Sequence, residues 1–237
     1  MKIRQHIPNL LSLSNATSGT IATYFAANGF LVYAMICMAV GLVADFLDGF
    51  MARKLNAFSP LGKDLDSLAD AISFGVAPAT MMTIALQRIG FIFPWLAFLI
   101  VPASVYRLAK FNHDERQSTS FIGLPTPANA LFWASLAYWI SGHIELIEGL
   151  PRMIAYKVYA LWPLLIILMS WLLISEVSMF SLKGGRPTWK KDKGLFIVLG
   201  IAVVSLLLMG LSAFVPTIGA YVLINVIAHL RSKAPKG

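Results

Sequence analysis

Apolar residues run through this chain in blocks of about 20, the length a helix needs to cross the hydrocarbon core of a bilayer, with polar residues gathered between the blocks. The blocks predict helices over residues 8–27, 30–52, 60–86, 89–109, 125–141 and 156–175. Residues 194–230 carry no charged side chain and are too long for one span; Gly210 and Pro216 mark the turn that divides them into two further helices. Asn28-Gly29 reads as a tight turn, and Pro78 is expected to kink the third helix. The first block opens with Pro8-Asn9 and holds Ser12, Ser14, Asn15, Thr17, Ser18 and Thr20, so much of its surface is expected to face protein or a cavity rather than lipid. The pattern predicts an all-α integral membrane protein, a bundle of about eight transmembrane helices: a six-helix core within residues 1–180, a basic loop over 181–193, and a C-terminal transmembrane hairpin with a basic tail over 194–237.

Composition agrees. Of 237 residues, 58% are apolar and only 13% charged, with mean hydropathy +0.74, where a soluble domain carries nearer a quarter charged residues. The single cysteine, Cys37, cannot form an intrachain disulfide. A net charge of +8 would suggest nucleic acid as partner in a soluble protein, but here the placement of the charge matters more, and no nucleic acid is expected. With the N-terminus cytoplasmic, sixteen of the nineteen Lys and Arg fall in cytoplasmic segments, and only Arg88, Arg152 and Lys157 on the opposite side. The positive-inside rule then orients the chain with both termini in the cytoplasm. Met1-Lys2-Ile3-Arg4 is followed by a long apolar run without a clean cleavage site, which reads as a retained first helix. The cluster Lys183 to Lys193 is either a topology signal or a patch for anionic headgroups, which attract basic residues by about 1 kcal/mol each.

The acids change the picture most. Five of the eleven fall between residues 45 and 70, at the cytoplasmic boundary, where carboxylates are costly without a partner or a task. Asp45, Asp48, Gly49 and Ala52 share one helical face at i, i+3, i+4, i+7; Gly62, Asp66 and Asp70 share another at i, i+4, i+8. The short connection makes the two helices antiparallel neighbours, so four carboxylates can converge. Oxygen ligands with no histidine or cysteine nearby suit Mg²⁺ or Mn²⁺. Two such ions clamp phosphoryl oxygens, which points to a pyrophosphate-bearing substrate. Gly49, Ala52 and Gly62 leave room for it, and Arg53 can meet its phosphates. Capping carboxylates paired with Arg53, Lys54 and Lys63 would account for an acid such as Asp64, which is off the stripe, but not for four on two matched faces. His6, His113, His143 and His229 are scattered over both sides, which disfavours a histidine site, and Asn129 and Glu176 read as interhelical hydrogen-bonding groups.

The pattern Asp45-x2-Asp48-Gly49-x2-Ala52-Arg53-x8-Gly62-x3-Asp66-x3-Asp70 resembles, at all eight fixed positions, the signature of the CDP-alcohol phosphotransferase family. Pro8-Asn9-Leu10-Leu11, residues 74–79 (FGVAPA), 107–112 (RLAKFN) and 123–128 (GLPTPA) resemble its bacterial membrane-type phosphatidylserine synthase branch, from residue 8 to about 180. The resemblance implies transfer of the phosphatidyl group of CDP-diacylglycerol to the hydroxyl of L-serine with release of CMP, in the bacterial cytoplasmic membrane, by a homodimer. It implies two divalent ions held by Asp45, Asp48, Asp66 and Asp70, with Asp70 also the general base, and a CMP site bordered by Gly49, Ala52, Arg53 and Gly62; Asn9, beside Pro8, is a further candidate for a phosphate or nucleotide contact. Arg107, Lys110 and Asn112, at the cytoplasmic end of the fourth helix, are candidates for binding serine. Glycerol 3-phosphate, inositol phosphate or choline stay open as other acceptors within the family. An intramembrane prenyltransferase is disfavoured because its two acidic motifs lie far apart, whereas Asp45 and Asp70 span 26 residues; a cation transporter is disfavoured because the acids cluster at one face only.

Overall fold

The structure, a computed structural model, describes residues 6–114, 121–179 and 193–233. Most of the basic loop, the end of the tail, and Lys2, Arg4 and Arg116 of the charge count lie outside the described residues. Helix α1 (His6–Ala27) turns through Asn28-Gly29 into α2 (Leu31–Lys54), and Gly29 takes φ +80°, a conformation that a Cβ disfavours. Helix α3 spans Pro60–Arg88 and includes a π-helical stretch, Ala71–Val76. A 3₁₀ turn, Pro94–Leu99, runs into α4 (Ile100–His113). Then come α5 (Thr126–Gly142), the five-residue α6 (Ile144–Glu148), α7 (Arg152–Ile174), α8 (Lys193–Met209) and α9 (Phe214–Lys233). The strands β1 (Phe121–Ile122) and β2 (Ser178–Met179) pair antiparallel and join the approach to α5 to the exit from α7.

Four stretches are each long and apolar enough to cross a membrane: Leu31–Lys54, Pro60–Arg88, Arg152–Ile174 and Lys193–Arg231. The last holds 39 residues and breaks at a 3₁₀ turn, Gly210–Ala213, where Gly210 has φ +55°. This is an all-α chain with the dimensions of a membrane protein. It departs from expectation in three places. Pro78 lies in the first turn of the α-helical segment after the π stretch, where a missing N–H costs little, so the irregularity in α3 is the π stretch and not a proline kink. Gly90, at φ +71°, and Pro94 delay the regular part of α4 to Ile100. The short α6 and the two-residue strands hold too few residues to show a period.

Helix α3 is the central post. Of its most apolar stretch 67% is buried, against 11% for Lys193–Arg231. Met81, Met82, Ala85 and Leu86 are wholly enclosed, with Trp133 of α5 and Ile100 of α4 in the same core. Helix α1 packs along α2 and also against α3, at distances that only small residues allow. A Cβ on Gly19 would stand 2.1 Å from Ser73 Oγ and 2.6 Å from Ser73 Cα, and one on Gly41 would stand 2.8 Å from Asn15 Oδ1. Hydrogen bonds hold the same contacts: Ser18 Oγ donates to the Cys37 carbonyl at 2.7 Å, and Ser73 Oγ to the Asn15 carbonyl at 2.8 Å.

Gly19→Ala should therefore lower the melting temperature in detergent, at an overpacking cost of about 1–3 kcal/mol. Gly200→Ala in α8, where a Cβ meets nothing within 4 Å, should not. Equal melting of the two variants would show that the α1–α3 contact yields freely.

Candidate active site

The turn between α2 and α3 is built from local signals. Asn56 takes the left-handed conformation at φ +49°, and the Ala57 N–H closes on the Ala52 carbonyl at 3.0 Å, which ends α2. Ser59 caps α3 by accepting the Gly62 N–H at 2.9 Å, and Pro60 occupies the first turn. The turn returns the chain so that Asp45 and Asp48 of α2 meet Asp66 of α3, with one carboxylate oxygen from each lying within 4.8 Å of the others. Asp48 is buried and the other two half-buried; Asp64 is exposed. Asp70, one step further along the α3 stripe, is buried and stands outside this group of three.

Helix α1 supplies the hydrogen bonds. Ser12 Oγ donates to Asp48 Oδ2 at 2.5 Å, and Asn15 Nδ2 donates to Asp70 Oδ1 at 3.1 Å. Neither residue was among the site candidates, although the signal was present: Pro8, Ser12, Asn15 and Gly19 recur at helical spacing on the buried stripe of α1. That stripe faces the carboxylates across the α2–α3 pair.

A cavity of about 590 Å³, mostly apolar in lining, opens beside the cluster. Asn9 of α1, Gly49 and Ala52 of α2, and Gly62 and Lys63 of α3 wall it, and it reaches Asp48 and Asp66. A Cβ on Gly62 would come within 3.0 Å of Ser59 Oγ and 3.1 Å of Asn9 Oδ1, so a side chain there would crowd that wall. Arg53 is exposed, with its guanidinium over Gly49 at the margin of the space: a Cβ on Gly49 would lie 3.6 Å from Nη1.

The three residues expected to bind serine part company. Arg107 is buried, its guanidinium lies 5.1 Å from the centre of the Phe111 ring, and it interacts electrostatically with Asp70. Lys110 turns instead to the end of α7, 3.7 Å from Glu176 and 3.4 Å from the Ile174 carbonyl. Asn112 donates to Ser67 Oγ at 2.7 Å, and its carbonyl accepts from Lys63 Nζ. Lys110 and Asn112 thus tie helix ends together through partners distant in the chain.

Three mutually repelling carboxylates, oxygen-only donors and a seryl hydroxyl fit a hard divalent cation. Fold and site together define a helical bundle with spans long and apolar enough to cross a membrane, and an acidic centre of a kind that fits a cation and opens on a large cavity. Comparison with known proteins gives the same class. Residues 5–169 match the CDP-alcohol phosphatidyltransferase family. The archaetidylserine synthase of Methanothermobacter thermautotrophicus is 36% identical over 154 residues, 64% of this chain and 65% of that protein. A CDP-diacylglycerol–serine O-phosphatidyltransferase of Bacillus subtilis is 36% identical over 123 residues, 52% of this chain and 70% of that protein. One of Helicobacter pylori is 31% identical over 232 residues, 94% of this chain and 90% of that protein. The aligned stretch spans less than two thirds of the archaeal relative and of mycobacterial relatives. The chain belongs to the CDP-alcohol phosphatidyltransferase family.

A cation that binds only the folded state stabilises it, by about 2.7 kcal/mol at a hundred times its dissociation constant. Mn²⁺ or Mg²⁺ should therefore raise the melting temperature of the protein in detergent, and Asp48→Asn should abolish the rise. A rise that survives in Asp48→Asn would place the cation elsewhere.

Proposed function

We propose that the protein transfers the phosphatidyl group of CDP-diacylglycerol to the hydroxyl of L-serine, forming phosphatidylserine and CMP. The observation that carries the reading is the three-carboxylate cluster contiguous with a large, mainly apolar cavity among helix ends, together with relatives named for this reaction. Asp45, Asp48 and Asp66 would hold two Mg²⁺ or Mn²⁺ ions, with Asp70 touching the second. When bound, such ions neutralise charge on the diphosphate and on departing CMP. Gly49, Ala52 and Gly62 leave space for the CMP moiety, Arg53 and Asn9 border it, and the acyl chains stay in lipid.

Asp70 is the proposed base. It takes the proton of the serine hydroxyl as that oxygen bonds to the lipid-side phosphorus; the bond from this phosphorus to the bridging oxygen breaks, and CMP leaves with that oxygen. Asn15 holds the Asp70 carboxylate in place through its amide. Arg107 receives the acceptor's carboxylate. Lys110 is engaged with Glu176, so among the described residues of α4 the buried Arg107 is the cation assigned to the acceptor, and one such charge suits a single carboxylate better than the double charge of a phosphorylated alcohol.

We further propose eight membrane crossings, with residues 1–180 as the catalytic core and the C-terminal helices as a hairpin. The site and both termini face the cytoplasm, the membrane is the bacterial cytoplasmic one, and the protein is a homodimer. The charge asymmetry and the family support this assembly.

Asp70→Asn should lower turnover by about 10²- to 10⁴-fold, the usual contribution of a positioned base, while CDP-diacylglycerol still binds. Near-normal turnover would remove Asp70 from the role. Incubation of the wild-type protein with CDP-diacylglycerol, Mn²⁺ and a panel of labelled alcohols, following CMP release, tests the acceptor. Serine should react. If serine is inert and another alcohol reacts, the acceptor assignment fails while the family stands.

A further inference from the structure

Helix α1 carries six hydroxyl side chains. Ser14, Thr17, Thr20 and Thr23 donate to the carbonyl one turn back at 2.8 or 2.9 Å, the usual resort of a hydroxyl on a helix. Ser18 donates to the Cys37 carbonyl of α2 and fastens the two helices. Ser12 has the usual acceptor as well, the Pro8 carbonyl at 3.2 Å, but Asp48 Oδ2 is nearer, at 2.5 Å. A hydroxyl has one proton to give, and the short bond to a charged oxygen is the stronger. Ser12 therefore gives its proton to the carboxylate.

The bond is enclosed and crosses between helices. Ser12 is 3% exposed and Asp48 5%. Both line the cavity, and Asp48 is the one buried member of the group formed with Asp45 and Asp66. Helix α1 carries no acid of its own, so its hydroxyl is a fixed point outside the group it serves. A side chain as short as serine reaches across only because α1 lies so close to α2 and α3. Gly19, on the same buried stripe as Ser12, and Gly41, on α2, have no room for a Cβ. The terminal torsion of an aspartate is broad, so its carboxylate turns unless one oxygen is pinned. Ligating carboxylates are held in this way by outer partners, and loss of the partner lowers metal affinity by about 10- to 100-fold.

We infer that Ser12 is a positioning residue for the cation: its hydroxyl pins Asp48 Oδ2, keeps the carboxylate aimed at Asp45 and Asp66, and so sets the affinity of the acidic centre for Mg²⁺ or Mn²⁺. It acts through Asp48 and not on the reacting atoms. Asn15, one turn later on the stripe, serves Asp70, so α1 steadies a cation ligand and the proposed base with two separate donors. The inference rests on the reading of Asp45, Asp48 and Asp66 as cation ligands.

The test measures Mn²⁺ binding to the full-length protein in detergent, without substrate, by loss of the free-ion electron paramagnetic resonance signal. Ser12→Ala should weaken binding by about 10- to 100-fold. Ser12→Thr keeps the hydroxyl and should bind as the wild type does. Ser12→Val has nearly the shape of Ser12→Thr without the hydroxyl, and should bind as weakly as Ser12→Ala. Ser18→Ala, which removes a buried hydroxyl bonded to Cys37 and to none of the acids, should lower the melting temperature and leave Mn²⁺ binding unchanged. Wild-type affinity in Ser12→Ala overturns the inference and leaves the cation reading intact. Ser12→Thr binding no tighter than Ser12→Val also overturns it, because the hydroxyl is then not what matters. Equal weakening in Ser12→Ala and Ser18→Ala overturns it too, as the signature of a packing role. If the wild-type protein takes up no Mn²⁺, the cation reading fails, and the inference falls with it.

Discussion

Three carboxylates gathered within 4.8 Å among apolar helices set the terms for the rest of this structure. Charges at that depth persist only when cations and hydrogen-bond donors compensate them. The bundle provides a donor to the group from one side, Ser12 of α1 to Asp48, with Asn15 serving the neighbouring Asp70, and the oxygen-only face on the other side fits a cation. The acid-bearing ends of α2 and α3 therefore cannot drift apart or turn over without exposing an unpaired charge to an apolar interior.

Helix α1 is the piece on which this geometry depends. It must approach both α2 and α3 closely enough for short side chains to reach the carboxylates. Gly41 on α2 and Gly19 on α1 permit the approach, because neither site has room for a Cβ. The Asn56 and Ser59 caps complete the arrangement by setting where α2 stops and α3 begins. A displaced start of α3 would rotate Asp66 off the facing stripe, since each residue turns a helix by about 100°.

The two sides of the site are built differently. The cavity side is walled by Gly49, Ala52 and Gly62, near neighbours across the α2–α3 turn, with Asn9 of α1 joining them from farther away in the chain. The Asp70 side is assembled from α3, α4 and α5, which meet at the π stretch. The ends of α4 and α7 are cross-tied there by Lys110 and Glu176, and α4 is tied to α3 by Asn112 and Ser67.

The apolar blocks, the break at Gly210 and the two acidic stripes were legible in the sequence, because each is set within one helix by a period of 3.6 residues or by a local turn. The α2–α3 turn is local for the same reason, so the meeting of Asp45, Asp48 and Asp66 followed from nearby residues. The donors on α1 left a trace as a polar stripe, but the stripe did not say which acid each would meet. Periodicity was silent on the π stretch and on the engagement of Lys110 and Asn112. Those depend on which helices become neighbours in the packed bundle, and neighbour choice is decided by contacts between residues tens to more than a hundred positions apart. The spacing of the aspartates along their helices was determined by the sequence itself; what surrounds them was decided only when the helices packed.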